Sequence, residues 1–300
     1  MVSTMKNQFD RRSFLKLSGM GILASTLPLG ITSCARSKTA GLPRLSMQLY
    51  TVRNQIAADL QGTLGRLADI GFTHVETAFW PEGVSHRDGA AYLKEAGLTV
   101  SSIHAELPDV EDRNTLLELA EIYQCDRLIW HGWPEDPRYQ TVEGTLELAS
   151  LYNEISSYLN ANGLRFGLHN HWWEFRALPY GETPWEILHE EMVEDIFFQL
   201  DMYWVAVAGL DPATVIRQMG NRVEMIHVKD GPANPEVSAD EPHEPMTAVG
   251  QGTLDIPAIM EASSDTVEWM VLEMDEVDGD VFSLLEESYN YMLENRFAVV

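Results

Sequence analysis

Cysteine is nearly absent: the 300-residue chain has two, Cys34 and Cys125, far apart in sequence. No disulfide framework and no cysteine-built zinc site can be made from them. Cys125, in IYQCDRLIW at the start of an apolar run, reads as a small buried hydrophobe. Positive charge is scarce as well, with 20 Lys and Arg against 46 Asp and Glu and a formal net charge of −26. Such a surface repels phosphates and argues against nucleic acid as a partner. No glycine-rich phosphate turn follows the first strand-like run, which continues as LYTVRNQ. That counts against an open, doubly wound dinucleotide-binding sheet. No internal repeat or low-complexity tract divides the chain, and its 45% hydrophobic content is ordinary for a globular core.

The first 34 residues do not read as fold. DRRSFLKLSG carries twin arginines, GMGILASTLPLGI is apolar but diluted by glycine and serine, and Ile31-Thr32-Ser33-Cys34 closes the stretch. Its apolar part falls short of the about 20 residues a spanning helix needs. The order resembles a twin-arginine export signal with a lipobox, in which Cys34 is acylated after cleavage. That predicts an exported, periplasmic protein, lipid-anchored to a membrane. The leader is basic (Lys6, Arg11, Arg12, Lys16, against Asp10) while the body is acidic, and residues 35–43 read as a tether.

Strand-like and helix-like runs alternate from Arg44 onward. The strand runs are LSMQLY, THVETAF, LTVSSIHAE, DRLIWHG, RFGLHNH, IFFQLD, VEMIHVK and TVEWMVLEM. Helical patterns cover 56–70, 87–96, 112–123, 142–162, 184–191, 212–219, 256–262 and 281–296, several stopped by glycine or opened by Thr183 or Asp211. Eight such units over residues 44–300 predict a single-domain (β/α)8 TIM barrel, a fold of typically ~250 residues. The Pro-, Glu- and Asp-rich stretch DGPANPEVSADEPHEPMTAVGQG predicts a long loop over the barrel mouth.

Residues 165–175, RFGLHNHWWEF, concentrate the chemistry. On an extended strand His169 and His171 point the same way, because side chains alternate with period two. Two converging imidazoles serve metal binding or proton transfer when other ligands face them; otherwise they pack as an ordinary loop. FFQLDMYW delivers Asp201, EMIHVKD His227 and WMVLEMD Glu273, each at the carboxyl end of an apolar run. The spacings from His169 to Asp201 and from Asp201 to His227 are each about one strand–helix unit. Gln48, Glu76, His104 and His131 end the first four strands and, with Trp172, read as substrate contacts in a polar pocket.

The set SMQLYTVR, TLGRLADIGFTHVE, GLHNHWWEF, LDMYWVAVAGLDP, IHVKD, VGQGTLDIPAIM and VLEMD resembles the xylose-isomerase-like TIM-barrel superfamily, the sugar phosphate isomerase/epimerase group. The resemblance runs from about Leu45 to Leu293. It implies one divalent metal held by a residue from each of the last four strands. These fall on His169, Asp201, His227 and Glu273, with His169 standing where the family commonly has Glu. Two imidazoles and two carboxylates suit Mn, Co, Zn or Fe better than Mg.

The implied activity is abstraction of a proton alpha to a sugar carbonyl, giving isomerisation or epimerisation. His171 is the first candidate base, Glu174 the second, and Lys229 the third residue assigned to the chemistry. Export and the missing phosphate loop favour an unphosphorylated sugar. An alternative on the same metal site is a lyase or hydrolase acting on 3-keto-glycosides, with an exported oxidoreductase as its partner. An alternative of another class is a sugar-binding lipoprotein without catalysis, which needs the pocket but not the metal.

The leader generates the first expectation: native protein starts at an acylated Cys34, and Cys34→Ser releases it from membranes. Mass spectrometry and membrane fractionation check this, and an unmodified chain beginning at Met1 in the cytosol overturns it.

Overall fold

Eight short apolar runs, each too small to stand alone, become stable by pairing in parallel and closing on themselves. The computed structural model describes residues 41–107, 113–179, 181–233, 244–263 and 267–300. The leader, Cys34 and most of the tether lie outside the described residues, as does part of the long loop, 234–243. The strands are β1 (Arg44–Gln48), β2 (His74–Thr77), β3 (Thr99–His104), β4 (Arg127–Trp130), β5 (Arg165–His169), β6 (Phe197–Asp201), β7 (Val223–Val228) and β8 (Trp269–Leu272). They form a closed barrel in chain order, every neighbouring pair parallel, with β1 joined to β8. The expected TIM barrel is the fold found.

Register decides what meets at the top. Gln48 lies opposite Glu76, His169 opposite Gln199, and Asp201 opposite His227. Glu273 is the first residue past the end of β8. These polar ends therefore share one level at the carboxyl end of the barrel, where such folds place their chemistry. Beneath them a plug of Ile129, Phe197, Met225, Trp269 and Val271 fills the interior. Gly167 permits it, since a Cβ there would sit 2.4 Å from the Phe197 ring. The opposite end is closed by charge pairs, Arg127 to Glu268 at 2.8 Å and Arg165 to Glu224 at 2.5 Å. Arg44 bonds His74 there and lies over the Trp269 ring.

The helices differ from their sequence pattern in instructive places. The run expected as one helix over 56–70 is two, Arg53–Ala58 and Leu60–Ile70, divided at Asp59. Asp59 is extended and caps the second helix through Gly62 N–H, so a local side-chain bond overrides continuous periodicity. Helix Met202–Val207 was not anticipated: MYWVAV has no polar face to give a period, and its cap is Asp201 itself. Pro184–Glu191 and Pro212–Met219 fall where their Thr183 and Asp211 caps place them.

Lys229-Asp230 is no solvated turn. Both are buried, and the Asp230 carboxylate accepts backbone N–H groups from Gly231 (2.9 Å), Gly250 (2.9 Å), Gly252 (3.0 Å) and Leu254 (3.3 Å). This folds the VGQGTL loop onto the end of β7, and Gly252 is required because a Cβ would lie 2.1 Å from Asp230 Oδ1. Asp230→Ala leaves several buried donors unpaired. We expect a loss of roughly 3 kcal/mol or more, read as a fall in Tm of about 5–10 °C in thermal denaturation; an unchanged Tm would contradict this anchoring role.

Candidate functional site

Glu76 lies at the centre of the floor, fully buried. Its Oε1 accepts from Gln48 Nε2 at 2.7 Å and from His227 Nε2 at 2.6 Å, and lies 3.0 Å from His104 Nε2. Its Oε2 accepts from Ser102 Oγ and from Gln199 Nε2 at 2.5 Å. Burial by itself would raise this carboxyl's pKa, but His104 and His227 outweigh it and hold the pKa well below the usual range. Glu76 is absent from the cavity lining, so the expected substrate contact is instead the residue that orients the floor.

Three of the four candidate metal ligands, His227, His169 and Asp201, are held by a partner behind them. His227 is pinned through Nε2 to Glu76, leaving Nδ1 2.6 Å from Glu273 Oε2 and 4.0 Å from Asp201 Oδ2. His169 Nδ1 bonds Gln199 Oε1 at 3.1 Å, which turns Nε2 toward Asp201 Oδ2 at 3.8 Å. Asp201 Oδ1 caps Tyr203 and Trp204 N–H at 3.0 Å each, while Oδ2 has no aligned hydrogen bond among the described residues. Donor atoms of Asp201, His227 and Glu273 all lie within 4.8 Å of one another. Ligands each ~2.0–2.2 Å from one ion must lie within roughly 4 Å of each other, so the set fits a divalent metal with modest contraction. The backing carboxylate and amide are the usual outer partners of metal-bound imidazoles. His104, His169 and His227 also cluster. There, however, His104 Nε2 is already taken by Glu76 and by Gln199 at 2.9 Å.

Lys229 departs from its assigned role. Its ammonium is 1% exposed and held 2.9 Å from Asp201 Oδ2, 2.8 Å from Glu273 Oε2 and 2.8 Å from Asp275 Oδ2. Burial opposes the charge, but these carboxylates keep the amine protonated, its pKa well above the ordinary lysine value. It is a fixed cation rather than a proton acceptor. His227, between Glu76 and Glu273, is likewise pushed up to about 10 against the cost of burial. A metal bound at its Nδ1 would displace that proton and share two carboxylates with Lys229.

Above the floor opens a cavity of about 340 Å³, lined by Gln48, His104, His131, His169, His171, Trp172, Lys229 and Glu273 among the expected residues. Asp201 and His227 lie just beneath it, fully buried. His131, His104 and His227 form a stack, ring centres 5.8 and 5.5 Å apart. His171 does reach His169, at 4.8 Å, but not by strand alternation, because β5 ends at His169. The chain turns there, and His171 is positioned by stacking on Trp173 at 4.1 Å and by its N–H donated to Glu174 Oε2 at 3.0 Å. Burial keeps His171 and His131 neutral, the latter at about 3.

Glu174 itself is buried behind that turn, outside the lining, so the second candidate base does not face the cavity. Sequence reading also missed Gln199, Asp275 and Ser102. Each lies two residues from a recognised one (Asp201, Glu273 and His104), and the same period-two rule points to Gln199 on β6 and Ser102 on β3, whereas Asp275 lies past the end of β8.

The xylose isomerase-like TIM barrel family model matches residues 64–293, and the chain belongs to that family. No curated protein matches the chain in sequence. A solved sugar phosphate isomerase/epimerase from Parabacteroides distasonis is 20% identical with a TM-score of 0.69, covering 90% of this chain and 100% of its own. A probable 3-DHS dehydratase from Bacillus anthracis is 15% identical, TM-score 0.64, covering 84% and 99%. An L-ribulose 3-epimerase is 16% identical, TM-score 0.61, covering 84% and 94%. At these identities the likeness is one of fold.

Burial pushes the Glu174 carboxyl up to about 8 from 4.5, partly offset by the backbone N–H groups it accepts. The unfolded chain loses this proton first as pH rises, so folding is weakened progressively between pH 4.5 and 8 and the deficit levels off above 8. Glu174→Gln keeps an acceptor for His171 N–H without the charge. Its Tm should therefore exceed that of wild type by a margin that opens across this window; parallel Tm–pH curves would contradict the assignment.

Proposed function

We propose that the protein is a divalent-metal-dependent enzyme of the isomerase/epimerase type, removing a proton alpha to the carbonyl of an unphosphorylated sugar. The observation that carries this is the buried convergence of Asp201, His227 and Glu273, whose donor atoms lie within 4.8 Å of one another, with His227 oriented from behind by Glu76 and the neighbouring His169 by Gln199. His169, Asp201, His227 and Glu273 would hold the ion. When bound, it would polarise a sugar carbonyl and stabilise the negative charge that develops there.

The chain's own residues do the rest. His171, neutral in the cavity wall, is the group that accepts the carbon-bound proton; its depressed pKa makes it a weak base until a substrate or ion alters its surroundings. Lys229 offers a fixed ammonium at the cavity floor, His104 and His131 offer imidazoles beside His169 and His171, and Trp172, Trp173 and Trp204 exclude water on the His171 side. Among the described residues the lining holds one lysine and no arginine, and that lysine is already held by three carboxylates. Glu106 and Glu135 add negative charge, which supports a neutral sugar over a phosphorylated one. Elimination on a keto-glycoside begins with the same proton removal and remains the second reading. An exported setting beside an oxidoreductase belongs to the same proposal.

Metal-reconstituted wild type should contain about one divalent ion per chain by elemental analysis, and Asp201→Ala should lose it. Incubation with keto-sugars in D₂O should place deuterium beside the carbonyl. His171→Ala should lower the rate on the order of 10²–10⁴-fold with metal content retained. Absence of stoichiometric metal in wild type ends the metal reading. Turnover without deuterium incorporation removes His171 from its role.

A further inference from the structure

The cavity wall is divided between two kinds of surface. The half contributed after β5–β8 carries the ion cluster of Lys229, Glu273 and Asp275, while Glu106 and Glu135 lie on the other half, and it ends in tryptophans packed on one another, Trp172 on Trp204 at 4.7 Å. The half contributed after β1–β4 carries Tyr50, Phe79 and Trp133. Among the described residues, the strongly exposed large apolar side chains are otherwise scattered aliphatics. The two aromatic ones, Phe79 at 57% and Trp133 at 42%, both line this one cavity.

Exposed aromatics gathered at one opening mark a contact surface rather than leftover core. Trp133 is held for such a use: its indole N–H donates to Glu106 Oε2 at 3.2 Å, and it lies edge-to-face with His131 at 4.7 Å. Phe79 has no aromatic partner among the described residues. Tyr50 differs from both, because Arg53 already lies over its ring at 4.0 Å.

We infer that Phe79 and Trp133 form an outer subsite that stacks a second, uncharged ring, so that the substrate is a glycoside rather than a free monosaccharide. The first ring takes the charged floor and the second lies on the aromatic mouth. Flat apolar faces suit either the C–H face of a sugar or a planar aglycone, and Glu106 and Glu135 at the same wall disfavour an acidic one. This inference rests on the sugar-site reading above but not on its chemistry.

The test compares methyl and phenyl glycosides, and the corresponding β-1,4 disaccharide, of glucose, galactose and xylose. Binding to the full metal-reconstituted protein is measured by calorimetry and saturation-transfer NMR. For at least one sugar, wild type should bind the two-ring ligand about tenfold more tightly than the methyl glycoside. In the Phe79→Ala/Trp133→Ala variant that ratio should fall toward one, while Trp133→Phe, with Tm unchanged, should retain most of it. The order of phenyl glycoside and disaccharide tells which second ring is preferred.

A wild-type ratio near one, a ratio unchanged in the double variant, or no glycoside binding at all overturns the subsite. Loss of the ratio with no deuterium exchange in any sugar keeps the subsite and rejects the proposed reaction. Exchange in monosaccharides without a two-ring preference does the reverse.

Discussion

Everything at the floor of this barrel depends on the burial of Glu76. A carboxylate with no exposure must be surrounded by donors or give up its charge. Gln48, Ser102, Gln199 and His227 bond it, and His104 lies 3.0 Å away; these residues come from β1, β3, β6 and β7. Satisfying one anion therefore fixes the rotamers of five side chains on four strands. Two of these pass the constraint upward: His227 presents Nδ1 to Glu273 and Asp201, and Gln199 fixes the His169 ring. His227 and His169 are oriented by the network below them, and His227 in turn bonds Glu273 at 2.6 Å. Loss of one member should accordingly be felt at several positions, since such networks are not sums of independent pairs.

Charge balance gives the second constraint. With all four ionised, Glu76, Asp201, Glu273 and Asp275 bring four negative charges to the floor, and Lys229 and a protonated His227 bring two positive ones. The remaining excess is that of a divalent cation. The Lys229 ammonium already bridges carboxylates from β6 and from the end of β8, so the acidic cluster can be packed without an ion. A metal that entered would exchange with the His227 proton and lessen the excess, which is why a lysine at this position and a metal site are compatible.

The sequence made the barrel legible because each strand is a short apolar run ending in a polar residue, and each polar end lies at the same level once the strands pair in parallel. It also named most of the floor, but one residue per strand. Asp275 escaped because it lies past the end of β8, while Gln199 and Ser102 escaped although they obey the alternation that had paired His169 with His171. There the rule was applied past the end of the strand: β5 stops at His169, and stacking on Trp173 does what alternation was expected to do. Glu174 shows the opposite limit. Nearness in sequence to a catalytic candidate says nothing of direction, and its carboxylate is spent on the turn's own backbone at His171. Asp59 and Asp230 were obscured for a related reason. A carboxylate bonded to nearby N–H groups looks, in one dimension, like any solvated acid.

The vertical order of the site separates two tasks. Floor residues sit at or just past strand ends, Glu76, Gln199, Asp201 and His227 among them fully buried, and are cross-bonded around the barrel; they cannot change without disturbing one another. Phe79 and Trp133 sit on loops past the ends of β2 and β4, more than two-fifths exposed, with few bonds of their own. Substitution there leaves the hydrogen bonds of Glu76 in place. A barrel can in this way hold one proton-transfer floor and vary its choice of ligand at the mouth. In this chain the mouth carries Phe79, Trp133, Glu106 and Glu135 on the segments that follow β2, β3 and β4, so apolar surface and negative charge belong to the same few loops.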